Sequence, residues 1–511
     1  MISYSKFSII NTNLLIYPHS TKKLGDDVEG TMEETQQQQE KKSKHVLLIN
    51  PTIIFNNDKN VWKYIIGITP PIGILHIASV LRENNVLVKV LDMNAEHVAV
   101  SDLQNYLENE QFDYVGIAAS TTTINSVYKI AEICKKNYQS CKIILGGIHP
   151  STSPNEVFEK GGNLVDYIAR GESEITFKEL IEGKVEDSIL GLSYKKDGKI
   201  IHNPSRPLLQ NLDELADPAY DLLVLERYRP TIGSYKKLPA IHMVVSRGCP
   251  GQCTFCHSGS ANHFGKAVRY RSPKRIFNQI KDLHEKQGIN DIIFYDDNII
   301  TSKPFVTEFC NLLINSGLDI SWTCFGRADF IRDVEILKLM KKAGCHQICV
   351  GIESGDETIL KNIKKYIKRE DAKRAVKLLK EAKIDSRFAF MLGLPGETVE
   401  TMQRTLDFAL ELDPEYVLFN INTPYPGTEM YDWATANGYL KTDIDYTRWD
   451  AGEVILTLPT VSSEDIKRYY KKCLKAFYLR PKYIAKRILR LRSIDEIKDG
   501  AKVFFYMVKP D

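Results

Sequence analysis

Between His45 and Ile421, short apolar runs alternate with amphipathic stretches, and this alternation constrains the 511-residue chain more than any other feature. A connection long enough to hold a helix returns the chain to the same end of a sheet, so successive strands lie parallel. All-β and all-helical architectures are excluded. The alternation comes in two blocks. In the first, the strands are Val46–Asn50, Val88–Asp92, Asp113–Ala119, Lys142–Leu145 and Val165–Ala169. A helix over Pro71–Asn84 sets Ile74, Ile77, Ala78 and Leu81 on one face, and Ser101 N-caps another. A third runs through Val127, Ile130, Ala131 and Cys134, and a fourth opens at Thr176. The first block predicts a doubly wound parallel sheet. In the second, strands Ile241–Ser246, Asp291–Tyr295, Ile320–Phe325, Gln347–Ile352, Arg387–Leu392 and Tyr416–Ile421 alternate with helices over 273–287, 303–316, 333–343, 370–382 and 398–412.

The chain divides accordingly. Residues 1–44 are polar and expected to be a disordered extension. Residues 45–185 carry the first sheet, 186–240 a link rich in proline and glycine, 241–440 the second block, and 441–511 a basic helical region. Within the link, Ser193–Lys196 and Lys199–His202 flank Asp197-Gly198 as a small hairpin. The first twenty residues lack a continuous apolar stretch, so no signal peptide is expected, and no run reaches the length of a membrane span. A net charge of +3 gives no ground for nucleic-acid binding. Cys134, Cys141, Cys310, Cys324, Cys345, Cys349 and Cys473 fall in apolar patterns and read as buried thiols in a reducing cytosol.

The remaining cysteines stand together, in Ser246-Arg247-Gly248-Cys249-Pro250-Gly251-Gln252-Cys253-Thr254-Phe255-Cys256. Their C-x3-C-x2-C spacing follows the run Ile241–Val245, at the strand end where βα folds gather functional side chains. Three thiolates on one loop can converge on zinc, with His257 or His263 as a fourth ligand, or on an iron–sulfur cluster. A [4Fe–4S] cluster held by three cysteines leaves one iron open.

With the aromatic Phe255 before its last cysteine, the motif resembles that of the radical S-adenosylmethionine (SAM) enzymes. The resemblance implies a cluster on Cys249, Cys253 and Cys256 whose open iron chelates SAM, and Phe255 near the adenine. It implies a 5′-deoxyadenosyl radical, and an external electron donor such as flavodoxin or ferredoxin. The six βα units resemble that family's partial (β/α)6 barrel. On it, Asp296 and Asp297 would receive the SAM amino group, Arg327 its carboxylate or the substrate, and Glu353 and Ser354 the ribose. Gly393 and Gly396 would pass along the adenine, and Tyr425 would face the substrate. Each cluster has a plain reading too: Gly393-Leu394-Pro395-Gly396 is a turn, and Asp296 and Asp297 are caps. Their fall at four successive strand ends favours the site.

The first block ends its strands at Ser120-Thr121, Gly146-Gly147-Ile148-His149-Pro150 and Arg170-Gly171-Glu172. Read alone, these describe a generic nucleotide-like site. Ahead of a radical SAM motif, they and Pro70-Pro71-Ile72-Gly73 resemble the cobalamin-binding domain of B12-dependent radical SAM enzymes, a likeness running from about 45 to 480. It implies that Ser120, Thr121, Gly146, Gly147, Gly171 and Glu172 border cobalamin. No Asp-x-His-x-x-Gly follows the first strand, so no histidine of that motif ligates cobalt. The implied activity is methylation, or otherwise ring closure or carbon–carbon bond formation, at an unactivated carbon of a small-molecule or lipid substrate. A non-catalytic corrinoid- or nucleotide-binding protein with a structural metal site is the alternative from another class.

From Lys467 to Arg492 the chain holds no acidic residue, and Pro481 splits it into two basic amphipathic helices. They read as a cap on the barrel. They also fit contact with the inner face of an anionic membrane by an otherwise cytoplasmic enzyme.

Overall fold

The computed structural model describes residues 43–52, 67–108, 110–259, 263–441, 445–449 and 452–489. The polar extension up to residue 42, and Arg490 and Arg492 of the basic tail, lie outside the described residues.

The first sheet is built from β1 (His45–Asn50), β2 (Leu87–Asp92), β3 (Tyr114–Ala118), β4 (Lys142–Gly146) and β5 (Tyr167–Ala169), all parallel, followed by β6 (Leu192–Lys196) and β7 (Lys199–His202). Its order is β2-β1-β3-β4-β5-β6-β7. Alternate residues serve opposite layers: Leu47 and Ile49 pack with Val127 and Ile130, whereas Val46 and Leu48 pack with Ile74, Ala78 and Phe177. Helices on both faces make the sheet doubly wound, and its strand order reverses between β1 and β3, the switch point at which such sheets bind ligands.

Two details depart from expectation. The link's hairpin is no separate piece: β6 pairs antiparallel with β5, Ile168 opposite Ser193, and supplies the backbone partners that a three-residue edge strand would otherwise lack. Ser101 caps no helix: its hydroxyl meets Asp102 Oδ1 at 3.0 Å within the turn Val100–Asp102, and helix Leu103–Leu107 starts without a side-chain cap.

The second sheet begins with β8 (Ala240–Met243). A short ladder of β9 (Ser246–Arg247) and β10 (Arg269–Tyr270) follows, then β11 (Asp291–Phe294), β12 (Ser321–Gly326), β13 (Cys345–Glu353), β14 (Asp385–Leu392) and β15 (Tyr416–Ile421). The six long strands are parallel and stand in sequence order, β8-β11-β12-β13-β14-β15, as a partial barrel requires. Among the described residues, β8 and β15 do not pair. β8 stops short of the apolar run because Asp296 intervenes. Its Oδ1 accepts from Val245 N at 2.9 Å, from Ser246 Oγ at 2.6 Å and from Ser246 N, turning the chain off the sheet and into the cysteine loop.

The link ties the two sheets together. Ala219 N donates to Leu75 O at 3.2 Å, Tyr220 Oη to His242 O at 2.8 Å, and Tyr228 Oη to Asp92 Oδ2 at 2.9 Å. At the far edge, helices Ser463–Tyr478 and Pro481–Ile488 cover β15: Tyr483 Oη donates to Glu415 O at 3.1 Å, and Ile466, Cys473 and Phe477 are buried. This is the cap arrangement. The apolar face of the first helix is turned to the sheet, whereas the second buries Tyr483 and leaves Ile488 and Leu489 exposed. No helix among the described residues is long and apolar enough to cross a membrane.

Candidate active site

The cysteine loop hangs from the β9–β10 ladder. Gly248 sits at φ 101°, and a Cβ there would lie 2.3 Å from Ala267 O, so only glycine lets the two limbs close. Thr254 N donates to Ile363 O at 3.0 Å, and Met430 N to Thr254 O at 2.9 Å, pinning the loop to the mouth of the second sheet. Two of its sulfurs lie near one point: a Cβ built on Gly251 would lie 3.4 Å from Cys249 Sγ and 3.8 Å from Cys253 Sγ. Burial raises the pKa of Cys249 and pushes that of Cys256 up to about 11, so these thiols hold their protons at neutral pH unless a metal replaces them. No three His, Cys, Asp or Glu side chains among the described residues gather closely enough for one ion. His257 Nε2 meets Pro426 O at 3.0 Å, which leaves Nδ1 as the ring atom able to take a metal, and its ring lies 6.4 Å from that of His263. A polynuclear cluster, each cysteine on its own iron, tolerates wider spacing than a single zinc. Phe255 is half-buried against the barrel core.

Around Cys253 the structure gathers charges. Arg327 Nη1 points at Cys253 Sγ, 3.8 Å away, while its Nε and Nη2 hold Asp329 at 3.0 and 3.2 Å. Its Nη2 also donates to Lys365 O at 2.9 Å. Lys365 Nζ pairs with Glu353 Oε1 at 2.9 Å, both residues buried. Glu353, Lys364 and Tyr366 all take positive φ (71°, 52° and 52°), backbone strain of the kind that clusters at functional sites. Glu353 therefore meets a lysine invisible to motif reading, since Lys365 lies in an unpatterned turn. Arg327 lies on the cluster side.

Asp296 is buried, with Oδ2 unpartnered, and desolvation pushes its pKa up to about 7. Asp297 is exposed and lines the cavity described below. Ser354 is not at the site surface: it is fully buried, its Oγ 3.2 Å from Thr405 Oγ1 and accepting from Asp356 N at 3.1 Å. Gly393 and Gly396 take φ 80° and 81° in a turn organised by Glu397, whose Oε2 accepts from Gly393 N at 2.6 Å and Leu394 N at 3.0 Å. Tyr425 Oη donates to Trp449 O at 2.9 Å, and its ring lies 6.1 Å from that of His257.

Glu397 is wholly buried, and desolvation raises its pKa to about 8. From about pH 4.5, its ordinary value, to about pH 8, the folded chain keeps a proton that the unfolded chain has released. Stability therefore falls as pH rises through that window. Glu397→Gln keeps the acceptor and removes the titration. Melting temperatures at pH 5 and pH 8 are expected to fall less for the variant than for the wild type; equal falls would contradict this.

Between the sheets lies a cavity of about 340 Å³. Ile72, Gly73, Gly146, Gly147, Gly171 and Glu172 line it from the first sheet; Ser246–Gly248, Asp296 and Asp297 line it from the second. It thus joins the switch point of one sheet to the root of the cysteine loop. A Cβ on Gly73 or Gly171 would enter open space, leaving bare backbone where a flat ligand can approach, and Ile74, Ile77 and Phe177 supply apolar wall. Gly147, at φ 100°, has a different reason: its Cβ would fall 2.6 Å from Ala119 O. These features fit a cobalamin cradle. Ser120 and Thr121 stand aside: Ser120 Oγ meets Thr122 Oγ1 at 3.0 Å in a local turn, and Thr121 Oγ1 meets His149 Nδ1 at 3.1 Å. The carboxylate of Glu172 belongs to Arg269 at 2.6 Å and Arg247 at 3.4 Å, and Arg247 also grips Glu174. Of these locking residues, Arg247 stands inside the cysteine motif, the one signal that could have revealed it.

Residues 243–409 match the Radical SAM superfamily, and residues 63–181 match the B12 binding domain. The chain is 36% identical over 450 residues to an uncharacterized methyltransferase of Pyrococcus horikoshii, covering 87% of this chain and 94% of that one. It is 27% identical over 448 residues to an anaerobic magnesium-protoporphyrin IX monomethyl ester cyclase of Rubrivivax gelatinosus, covering 81% and 79%. Among solved structures, the radical SAM methyltransferase TsrM of Kitasatospora setae, with cobalamin and a [4Fe–4S] cluster bound, shares its fold at a TM-score of 0.66 and 17% identity, covering 86% and 90%. With both domains matched in order and a 36% identical relative spanning nearly its whole length, the chain belongs to the cobalamin-dependent radical SAM enzymes.

Proposed function

We propose that this enzyme transfers a methyl group to an unactivated carbon of a small-molecule or lipid substrate. The observation that carries the proposal is the shared cavity, which borders both the cobalamin-type switch point and the cysteine loop. The family's cofactors are a [4Fe–4S] cluster, SAM and cobalamin, which together supply a carbon-centred radical and a methyl donor. An external reductant is needed.

The chain's own residues do the positioning. Cys249, Cys253 and Cys256 hold the cluster. Arg327, with Lys365 behind it, sets positive charge beside Cys253 and balances thiolate charge. Asp297, exposed at the cavity wall, receives the SAM amino group, while buried Asp296 fixes the loop that presents it. Gly393 and Gly396 border the adenine. Gly73, Gly146 and Gly171 leave room for cobalamin. The salt bridges from Arg247 and Arg269 to Glu172 and Glu174 lock the two sheets at one separation, so that radical, substrate carbon and methyl donor stay aligned.

Gly73 lies in the first turn of helix Ile72–Arg82 with open space before it. Gly73→Leu is compatible with the helix and fills the cradle. It is expected to retain the fold and cut cobalamin retained after anaerobic gel filtration by ~10-fold or more, about 1.4 kcal/mol or more of binding. SAM cleavage at the cluster should persist. Undiminished cobalamin in this variant would remove the cavity from the proposal. A ring-closed product with no added methyl group would shift the assignment to cyclase chemistry.

A further inference from the structure

Among the described residues, the arginines that are more than nine-tenths buried are Arg269, Arg271, Arg327 and Arg387. The first three pair with Glu172, Asp217 and Asp329. Among the described residues, Arg387 has no carboxylate partner. It is 6% exposed, its Nε has no partner, and its one hydrogen bond runs from Nη2 to Ile232 O at 3.4 Å. The ring of Tyr416, 5.0 Å away, is its other neighbour of note. A buried guanidinium with most of its donors idle is costly, and such groups normally meet an anion.

Strand register shows where it stands. Phe325, Cys349, Arg387 and Tyr416 form one row across β12 to β15. The row above holds Gly351, Ala389 and Leu418, and the next pairs Met391 with Asn420. On β14 and β15 the alternate residues Phe388, Phe390, Leu392, Val417, Phe419 and Ile421 are 0–2% exposed, packed against the helices. Ala389, Met391, Leu418 and Asn420 are only half-buried, so the inner face is the less filled one. Tyr295, 58% exposed, lies in the same space, its ring 5.1 Å from Phe325 and 5.2 Å from His242. His242 adds a second buried, unpartnered nitrogen, Nδ1. The segment at Gly233 closes the floor: a Cβ there would meet Arg387 Nη2 at 2.9 Å.

We propose that the substrate is an amphiphilic anion whose carboxylate or phosphate docks on Arg387 inside the barrel. Its apolar body lies along Phe325, Ala389, Leu418 and Met391. Four residues of strand separate Arg387 from Met391, so the anionic group sits about 13 Å below the mouth where the cysteine loop lies. The assignment rests on the radical SAM reading for the position of the reacting carbon, but binding can be measured without chemistry.

The test is isothermal titration of the full-length, cluster-loaded protein with three probes: decanoate, decyl phosphate and 1-decanol. At least one anionic probe is expected to bind tenfold or more tighter than decanol. Decanoate as the tighter anion points to a free acid, decyl phosphate to a phosphorylated lipid or metabolite. Arg387→Gln should abolish the preference, and Arg387→Lys should restore part of it. Equal affinity for all three probes, no binding of either anion, or an unchanged preference in Arg387→Gln would overturn the proposal. Iron content and circular dichroism establish that the variants fold. If Arg387→Gln does not, Ala389→Trp, which fills the slot above the arginine, must abolish binding of the anions. Failure of the radical reading would appear instead as absent SAM cleavage in the wild type.

Discussion

Cys253→Ala is expected to lower bound iron and 5′-deoxyadenosine formation by more than ~100-fold, beyond the loss typical of residues that merely support a metal ligand. Cys253 is the most buried of the three loop cysteines. Its sulfur faces the Arg327 guanidinium, and its backbone closes the turn to Cys256 through a 3.1 Å hydrogen bond. The alanine variant keeps that backbone turn, so the loop keeps its path. What it loses is the third thiolate, leaving two sulfurs where the cluster is held by three. Iron analysis with mass spectrometry of the nucleoside product checks this. A variant that kept its iron and its 5′-deoxyadenosine would mean that the loop is structural.

Lys365→Met is expected to destabilise the fold by about 3–5 kcal/mol, the range for removing one partner of a buried ion pair. The side chains of Lys365 and Glu353 are only 8% and 9% exposed, so screening by solvent is slight. The cost arises from Glu353, which would remain buried, charged and unpaired. The pair itself need contribute little. Glu353→Gln combined with Lys365→Met should therefore recover most of the loss, since neither remaining side chain carries a charge. Denaturation midpoints of the two single variants and the double variant give the comparison. A double variant as weak as Lys365→Met would refute the account. Arg327 reaches Lys365 through the backbone carbonyl, so its hold on Cys253 is expected to survive either change.

What sequence made legible followed from periodicity. β15 and the helices Pro273–Gln287 and Lys303–Ser316 fall where alternation predicts them, because apolar spacing reports packing against one sheet. The cysteine loop was legible because its ligands are neighbours in sequence. Where long-range hydrogen bonds decide, sequence reading failed. The carboxylate of Asp296 ends β8 early, an event between residues fifty apart. Glu172 lines the cavity as a cofactor contact would, but two arginines of the β9–β10 ladder also hold its carboxylate, which no local pattern announces. Ser354 read as a ribose contact at a strand end, yet its hydroxyl meets that of Thr405 on helix Val399–Leu412. Lys365 and Arg387 carry no local pattern, and only the fold brings one to Cys253 and leaves the other alone inside the barrel.

The central claim is that the cavity between the sheets borders both the cobalamin site and the root of the cluster loop. Its most direct test is a single anaerobic sample of full-length protein, reconstituted with iron, sulfide and cobalamin, stripped of free ligand, and given SAM and a reductant. Iron, corrinoid and 5′-deoxyadenosine are then quantified together. About four irons and about one corrinoid per chain, with 5′-deoxyadenosine formed, is the predicted result. 5′-Deoxyadenosine without retained corrinoid would contradict it, leaving a radical enzyme whose first sheet is empty.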